Sequence, residues 1–288
     1  MRAQALGVEA MIVGNLRSNQ RNKYRAHWEF ARGIADVKST PVNLQIARSN
    51  TCNFKCVYCI DHRTGNTIPR TELDGDTWER LTALIPRCES LAFHGVSEFM
   101  IDRDFFNIID RCAAASSELS INTNGSVCTP KHVDALKAYP GYLMMNFSLD
   151  AVRPETFLHI RGWDFRRVVR NIRTYVRSFE TRREKTWITL SFVIVKSNVA
   201  DMVPMVFLAK ELNVDAVKFY RLHEYEALDW AVETRSGGSF DYRSECTGAF
   251  AEEYNRAVAR TREAADFLAI PVELPAAFVD PKPRSMTA

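Results

Sequence analysis

Six short apolar segments alternate with amphipathic segments along most of the chain, and this alternation restricts the possible folds more than any other feature. The strand-like segments are Val42–Ala47, Ser90–Phe93, Glu118–Asn122, Tyr142–Leu149, Trp187–Val195 and Ala216–Leu222. The helix-like segments between them are Asp76–Ile85, Asp104–Ala115, Pro130–Ala138, Phe165–Glu180 and Ala200–Leu212. Such alternation predicts an α/β fold with a parallel sheet and helical crossovers. Six units are too few for a closed eight-stranded barrel.

Two further segments flank this α/β domain. The predicted divisions are 1–40, 41–222 and 223–288. The first is an N-terminal helical extension, in which a helix at Asn19–Val37 is expected to turn Trp28 and Phe30 inward. The last is a C-terminal helix-strand extension that is expected to cover the mouth of the α/β domain. It would contain a long helix at Ser244–Phe267, a strand at Ile270–Leu274 and a disordered tail.

The composition is that of an ordinary globular protein, with 46% hydrophobic and 25% charged residues. A net charge of +3 is too small to indicate a nucleic-acid partner. No secretory signal is evident at the N-terminus, and the longest strongly apolar stretch, Ile188–Val195, is far too short to span a bilayer. We therefore expect a soluble, cytoplasmic protein that binds neither nucleic acid nor membranes.

A C-x3-C-x2-C triplet, formed by Cys52, Cys56 and Cys59, follows the first strand-like segment. Three thiolates at this spacing can bind three irons of a [4Fe–4S] cluster, and the next cysteine is distant at Cys88, so one iron would stay open. A zinc site with His62 as the fourth ligand is the alternative, although structural zinc sites usually use two closely spaced ligand pairs. Disulfides are disfavoured, because seven cysteines are an odd number and no secretory segment is evident.

Polar residues and glycines follow successive strands where each strand ends. They are Gly95 and Glu98 after the second strand, Asn122 and Asn124 after the third, Ser148 and Asp150 after the fourth, and Asn198 after the fifth. Arg161 lies close behind the fourth strand, in the segment Ile160–Gly162. On the sixth strand, alternation places Lys218 and Tyr220 on one face. Because active sites of parallel α/β folds form at the carboxyl ends of the strands, we expect these residues to surround the cysteine triplet.

Together the cysteine triplet and the strand-end motifs resemble the radical S-adenosylmethionine (SAM) superfamily over residues 42–222. The resemblance implies a partial (β/α)6 barrel. It also implies that Cys52, Cys56 and Cys59 hold a [4Fe–4S] cluster whose open iron binds the amino and carboxylate groups of SAM. An electron from the cluster would cleave SAM to a 5′-deoxyadenosyl radical. An electron donor such as flavodoxin or ferredoxin is therefore an expected partner.

The resemblance also implies which residues bind SAM. Tyr58 would lie beside the adenine, Arg161 would bind the carboxylate and Asn198 would reach the adenosine. Four others would hydrogen-bond the ribose or the methionyl part, namely Asn122, Asn124, Ser148 and Asp150. Each of these residues has a structural alternative as well, in packing, in opening a loop or in a salt bridge.

The segment Phe93–Met100 resembles the superfamily turn that binds the methionyl amino group through exposed backbone groups. Gly95 and Glu98 match that turn, whereas Ser97 replaces a glycine and Phe99 replaces a proline. Main-chain recognition tolerates side-chain changes, so we retain Gly95 and Glu98 as expected SAM-binding positions.

Among the four cysteines outside the triplet, Cys246 alone lies beyond the α/β domain; the others are Cys88, Cys112 and Cys128. None of the four forms a C-x2-C pair, which gives little support for an auxiliary cluster. A thiol near the barrel mouth can return a hydrogen atom to the opposite face of a substrate radical, because its S–H bond is weaker than most C–H bonds. This arrangement resembles the radical SAM epimerases of antibiotic biosynthesis. The structural alternative for Cys246 is a small residue at a helix contact.

The expected substrate is a small molecule, specifically an aminoglycoside-like sugar. A polycationic sugar needs carboxylates, for which Glu224, Glu226 and Glu245 are the candidates. Three alternatives stay open: a radical SAM dehydrogenase or decarboxylase acting on a sugar or nucleoside, a peptide-modifying radical SAM enzyme, and a non-enzymatic iron–sulfur redox protein.

Overall fold

A parallel sheet of seven strands forms the centre of the computed structural model, which describes residues 16–59, 69–115, 117–223 and 231–279. The sheet strands are β1 (Asn43–Ile46), β2 (Ser90–Phe93), β3 (Glu118–Thr123), β4 (Leu143–Ser148), β5 (Thr186–Ile194), β6 (Ala216–Arg221) and β9 (Val272–Glu273). They lie in that order, each parallel to its neighbour. A separate antiparallel hairpin consists of β7 (Ala231–Glu233) and β8 (Ser239–Asp241).

The helix α1 (Ser18–Ala31) precedes the sheet, and the later helices connect successive strands, as a parallel sheet requires. They are α2 (Gly75–Thr82), α3 (Phe105–Ala115), α4 (Pro130–Lys137), α5 (Pro154–Arg161), α6 (Phe165–Ser178), α7 (Met202–Leu212), α8 (Tyr242–Glu245) and α9 (Ala251–Leu268). Short 3₁₀ helices lie at Ile85–Arg87, Phe99–Ile101, Glu180–Lys185, Lys196–Asp201 and Thr247–Phe250. Within the described ranges, no helix combines the length and the apolar character needed to cross a lipid bilayer.

The two faces of the sheet differ in chemistry. One face is apolar: Phe93, Ile121 and Met145 are neighbours in register and belong to the main buried core together with helix residues such as Ile108 and Ile172. Such residues form strands because their side chains fill the space between sheet and helices. The helices therefore cover this face, whereas the side chains of the other face make mainly polar contacts with one another.

The opposite face, called the polar face below, carries Ser120, Asn122, Asn146, Ser148, Thr189, Ser191 and Lys218. Asn146 is its centre. The Asn146 amide donates to Asn122 Oδ1 and to Ser191 Oγ, both at 3.1 Å, and accepts from Thr189 Oγ1 at 2.8 Å. Hydrogen bonds between strands thus satisfy polar groups that burial would otherwise penalise.

The predicted α/β fold with a parallel sheet is confirmed, and the six expected strands all occur within one or two residues of their predicted limits. The structure adds a seventh strand, because Val272 pairs with Val217 at the edge of the sheet. That strand lies within the predicted strand-like segment Ile270–Leu274. The division of the chain at residues 40 and 222 stays a prediction, and the expected disordered tail lies outside the described residues.

Two helix predictions need correction. The helix α1 ends at Ala31, and the side chains of Trp28 and Phe30 are 45% and 89% exposed, not inward. The buried residues of α1 are Asn19 and Glu29. The Glu29 carboxylate accepts from the backbone of Lys38 and from Ser39, so polar contacts rather than aromatic packing attach this helix.

The predicted long helix Ser244–Phe267 is interrupted. Cys246 has extended backbone angles (φ −75°, ψ 150°) between α8 and a 3₁₀ turn, and α9 begins only at Ala251. Thr247 and Gly248 follow Cys246, and both residue types have low helix propensity. The interruption therefore has a local cause in the sequence.

Gly141, in the loop before β4, tests how closely the chain is packed beneath the sheet. An added Cβ atom there would overlap the Ser117 carbonyl oxygen and lie 2.9 Å from the Tyr139 ring. We expect Gly141→Ala to lower the free energy of unfolding by about 1–3 kcal/mol. Gly75→Ala is the matched control, because nothing lies within 4 Å of an added Cβ at this first residue of α2. The control should leave stability unchanged or raise it by about 1 kcal/mol or less in urea unfolding; equal losses for both variants would contradict the packing.

Candidate active site

The cysteine loop follows β1 and is attached to the helix α5. The Val57 amide donates to the Ile160 carbonyl at 3.0 Å, and the Cys59 amide closes a turn onto the Cys56 carbonyl at 3.0 Å. Phe54 is buried and stacks on Trp163 with ring centroids 4.9 Å apart. These contacts hold the loop in one conformation at the carboxyl edge of the sheet.

The three thiols of the triplet lie close enough to influence one another electrostatically. Burial raises the pKa of Cys56 to about 12, opposed by the nearby Arg161 guanidinium. In the part of the chain that the structure describes, no three His, Cys, Asp or Glu side chains converge on a single metal ion. A [4Fe–4S] cluster does not need its thiolates to converge on one ion, because each thiolate binds a different iron. The alternative zinc ligand His62 lies outside the described residues.

Glu98 is buried and its carboxylate is engaged by three donors of the protein. It accepts from Met100 N at 3.0 Å and Thr123 Oγ1 at 2.7 Å on one oxygen, and from Asn124 N at 2.6 Å on the other. Its own amide donates to the Thr51 carbonyl at 2.9 Å. Burial raises the pKa of Glu98, while these hydrogen bonds oppose the rise. Glu98 therefore joins the loops after β1, β2 and β3 as a positioning residue, and its expected contact with SAM gains no support.

Gly95 permits a close approach between neighbouring loops. A Cβ atom at this position would lie only 2.6 Å from the Cβ of Ala47, just beyond β1. Phe99, which stands where the superfamily turn has proline, is buried and stacks on Phe93 with centroids 4.3 Å apart. The turn is therefore stabilised by aromatic packing despite its departures from the superfamily pattern.

Asn124 lies directly beside the cysteine triplet, whereas Asn122 does not. The Asn124 amide nitrogen is 3.8 Å from Cys52 Sγ and donates to Asn53 Oδ1 at 2.9 Å. Asn122 instead accepts from Asn146 on the polar face. Of the two predicted residues on this strand end, Asn124 is the one the structure brings to the cysteine loop.

Half-buried Tyr58 and the buried residues Asp150 and Arg161 form a hydrogen-bonded group next to the triplet. Arg161 Nη1 donates to Asp150 Oδ2 at 2.9 Å and to Tyr58 Oη at 3.1 Å, and the Tyr58 hydroxyl also donates to Asp150. Burial foremost, and the Asp150 charge after it, raise the pKa of Tyr58. Arg161 is 7% exposed, yet its Nε is buried with no hydrogen-bond partner in the protein. A buried donor without an acceptor is costly, so this atom suits a bound acceptor such as a carboxylate.

Ser148 and Asn198 differ in how many of their hydrogen-bonding groups are already engaged within the protein. Ser148 Oγ is half-buried and lies 3.5 Å from Ser191 Oγ, so its hydroxyl is weakly engaged. Asn198 is fully buried; its amide donates to the carbonyls of Asp150 and Val193, both at 2.8 Å, and accepts from Val195 N at 2.8 Å. Asn198 thus links the ends of β4 and β5 by hydrogen bonds, and its predicted contact with adenosine gains no support from this geometry.

Cys246 is half-buried against a small apolar cluster at the carboxyl edge of the sheet. The cluster comprises Val57, Ile160, Val195, Leu222, Phe240 and Tyr242, and Tyr58 and Val193 also pack on it. The preceding residue, Glu245, accepts hydrogen bonds from the amide, at 2.7 Å, and the hydroxyl of Ser197. Glu245 therefore attaches this segment to the loop after β5. Both of its carboxylate oxygens are engaged by Ser197, which weakens its case as a substrate-binding carboxylate. Glu224 and Glu226 lie outside the described residues.

Comparison with known proteins agrees with this arrangement. A family model described as the radical SAM superfamily matches residues 46–203, more than half of the chain. A GTP 3′,8-cyclase of Desulforamulus reducens is 26% identical over 123 residues, covering 41% of this chain and 37% of the relative. A probable GTP 3′,8-cyclase of Thermoplasma volcanium is 26% identical over 213 residues, covering 72% of this chain and 59% of the relative. The chain thus spans less than two thirds of these relatives.

Solved structures with the same fold include two with SAM bound. Streptococcus suis SuiB bound to S-adenosylmethionine has a TM-score of 0.62 at 16% identity, covering 91% of this chain and 55% of SuiB. Native anSMEcpe with bound AdoMet has a TM-score of 0.57 at 17% identity, covering 81% of this chain and 64% of that protein.

An open parallel α/β barrel with a cysteine triplet at its carboxyl edge defines a class of iron–sulfur proteins. Within that class, the chain belongs to the radical SAM superfamily. Its cofactors are accordingly a [4Fe–4S] cluster and SAM, as in other members of the superfamily.

Sequence reasoning missed two positioning contacts. Thr123, which donates to Glu98, belongs to a strand end that the sequence already marked, so its position could have been found. Ser197, which binds Glu245, has no sequence signal, because the contact joins segments 48 residues apart.

Removal of the Glu98 carboxylate should disturb both stability and the cysteine loop. Glu98→Ala leaves three buried donors without an acceptor, so we expect a loss of about 2–4 kcal/mol in the free energy of unfolding. Iron retained after anaerobic reconstitution should fall as well, because the Asn124 backbone loses its acceptor and the Asn124 side chain lies against Cys52. The exposed Glu118→Ala is the control and should change stability by about 0.5 kcal/mol or less. A Glu98 variant as stable as the control would contradict the positioning role.

Proposed function

We propose that the protein is a radical SAM enzyme that epimerises a carbon atom of a sugar-like substrate. When bound, the cluster and SAM supply a 5′-deoxyadenosyl radical that abstracts a hydrogen atom from the substrate. Cys52, Cys56 and Cys59 are the proposed cluster ligands. The thiol of Cys246 returns a hydrogen atom to the opposite face of the substrate carbon, and the resulting thiyl radical regains one electron from the external reductant and one proton from solvent.

The observation that carries this proposal is the position of Cys246. It packs on the same apolar cluster as Tyr58, and Tyr58 is bonded to the Asp150–Arg161 pair beside the cysteine triplet. A residue beyond the α/β domain thus reaches the same edge of the sheet as the proposed cluster. Such a position suits a group that acts on a substrate held between the two.

Several residues have free capacity to hold SAM. The unsatisfied Nε of Arg161 suits the SAM carboxylate, and the weakly engaged hydroxyl of Ser148 suits a ribose or methionyl group. Gly95 keeps the backbone of its loop open to the methionyl amino group, as in the superfamily turn. Asn124 would support the loop through Cys52, and Asp150 would orient Arg161.

The sugar-like substrate is proposed for its hydroxyl groups, which suit the amide and hydroxyl side chains of the polar face. The narrower aminoglycoside hypothesis depended on three carboxylates. Of these, Glu245 is bonded to Ser197, and Glu224 and Glu226 lie outside the described residues. We therefore propose a sugar as the substrate, without requiring that it be positively charged.

A radical reaction on a purine nucleotide is the second candidate function. It is favoured by the similarity to the Thermoplasma volcanium relative, named as a probable GTP 3′,8-cyclase, over 72% of this chain. Ring closure within one substrate does not require hydrogen delivery by Cys246. The role of this residue therefore separates the two candidates.

Loss of any one triplet cysteine should remove the cluster. We expect Cys52→Ala, Cys56→Ala and Cys59→Ala each to bind less than about half of the wild-type iron after reconstitution, because a cubane held by two thiolates is poorly retained. All three variants should fail to form 5′-deoxyadenosine from SAM and a reductant. Cys128→Ala, in the loop after β3, is the control and should keep the wild-type iron content. Full iron content in a triplet variant would refute the ligand assignment.

Hydrogen return by Cys246 can be tested in deuterated water. With any sugar that stimulates 5′-deoxyadenosine formation, the wild type should place one solvent deuteron at the inverted carbon, read by mass spectrometry and NMR. Cys246→Ala should still form 5′-deoxyadenosine but yield at least about a hundredfold less epimer.

Cys128→Ala should again behave as the wild type. Normal epimer formation by Cys246→Ala would eliminate the donor role. Stimulation by GTP but by no sugar would favour the nucleotide reaction.

A further inference from the structure

A groove of about 660 Å³ lies between the C-terminal end of α5 and the N-terminal end of α6. Its apolar lining consists of Pro154, Leu158, Trp163 and Phe165, and Leu158 is 38% exposed. In the described part of the chain, no residue assigned above to the cluster, to SAM or to the polar face lines this groove. The groove is therefore a surface apart from the one assigned to the substrate.

Exposed cationic residues border the groove. Arg167 and Arg235 belong to its lining. Lys55 adjoins it, because a Cβ atom at Gly162 would lie 3.6 Å from the Lys55 carbonyl oxygen and 3.2 Å from Cδ of Arg235. Among the described residues, none of the side chains of Lys55, Arg167 and Arg235 has an ion-pair partner. Their charges are therefore available to a molecule that approaches from solvent.

A carboxylate also lines the groove, but it leaves the local charge positive. Asp164 caps α6, and its Oδ1 accepts from the backbone amides of Arg166 and Arg167 at 2.8 and 3.3 Å. The helix α6 carries five arginines and no acidic residue, and Arg166 and Arg170 in its first turns are exposed. A surface with this balance attracts an acidic partner and accelerates its association.

Two stacked aromatic rings join the groove to the cysteine triplet. Trp163 is half-buried in the groove and stacks on Phe54, with centroids 4.9 Å apart and planes inclined by 28°. Phe54 is buried, and its amide donates to Cys52 Sγ at 3.4 Å. A partner seated in the groove thus lies two packed side chains away from the proposed cluster ligands.

We propose that this groove docks the external electron donor, a small acidic electron-transfer protein of the flavodoxin or ferredoxin type. Acidic groups of the donor contact Lys55, Arg167 and Arg235, and Trp163 lies at the apolar centre of the contact. An apolar core with a charged rim is the usual anatomy of a protein interface, and tryptophan and arginine are enriched at its strongest contacts.

The transfer step moves a single electron. The donor loses one electron and the oxidised cluster gains it, with no bond formed or broken. The inference requires the cluster of the superfamily and does not depend on which substrate reacts, so it goes beyond the proposed function.

The first test is binding, measured by anaerobic calorimetric titration of the reconstituted protein with an oxidised flavodoxin and with an oxidised ferredoxin. We expect at least one of these carriers to bind at about 50 mM NaCl. The same carrier should bind at least about tenfold more weakly at about 300 mM NaCl, because salt screens exposed charges.

Variants assign this binding to the groove. Lys55→Glu and Arg167→Glu should each weaken binding of the carrier at least about tenfold, because each places a negative charge against an acidic partner. Arg177→Glu is the matched control, since it makes the same change about 15 Å further along α6 at another exposed position. The control should retain the wild-type affinity within about twofold. Iron content and circular dichroism check that each variant keeps its cluster and its fold.

The second test compares two reductants. Dithionite is a small ion that needs no docking surface, so with dithionite both groove variants should form 5′-deoxyadenosine from SAM within about twofold of the wild-type rate. With reduced carrier protein, the carrier concentration that gives the half-maximal rate should rise at least about tenfold in Lys55→Glu and Arg167→Glu, and not in Arg177→Glu.

Absence of binding by both carriers, unchanged affinity in both groove variants, or an equal loss of affinity in Arg177→Glu would each overturn the proposal. An equal loss of 5′-deoxyadenosine formation with dithionite and with the carrier would overturn it as well, because the defect would then lie at the cluster. The deuterium experiment on Cys246 can be run with dithionite. Failure of the docking proposal therefore leaves the epimerase proposal standing.

Discussion

One buried carboxylate, Asp150, holds together the segments that build the active-site edge. Its Oδ1 accepts from the Val193 amide of β5 at 2.7 Å, and its Oδ2 binds Arg161 and Tyr58. Its backbone carbonyl accepts from Asn198. Asp150 is 1% exposed, and a charge buried so deeply needs both an opposite charge and further hydrogen bonds. β5, α5 and the cysteine loop meet the end of β4 at this residue because each supplies one of those partners.

The sequence was most informative where burial alone decides structure. Most helices were predictable from the period of their apolar residues, and the strands from short apolar runs rich in β-branched and aromatic residues, as in β5 with its nearly continuous burial. The α1 helix was misjudged because its buried residues, Asn19 and Glu29, are polar, and Glu29 is stabilised by donors from the segment that follows the helix. A search for helical periodicity does not detect such a residue, because it considers only apolar positions.

Site residues were predictable in place but not in orientation. The ends of β3 and β4 place Asn124 and Asp150 beside the cysteine loop, and Arg161, the last residue of α5, bonds to Asp150 and Tyr58 there. Glu98 and Asn198 occupy the same edge, yet their polar atoms are consumed by backbone partners. Only the three-dimensional arrangement of donors and acceptors separates a ligand-binding side chain from a structural one. The superfamily fold likewise fixes where chemistry occurs and leaves the reaction to individual side chains.

The interruption of the C-terminal helix at Cys246 has a mechanical consequence. The thiol sits on an extended joint, fixed on one side by Glu245 to Ser197 and on the other by the turn into Thr247–Phe250. The position of the Cys246 thiol therefore does not depend on how α9 is rotated about its own axis. Residues can be gained or lost in that long helix, or beyond it, without turning the thiol away from the barrel. The C-terminal part of such a chain is free to diverge in length while this one sulfur atom stays in place.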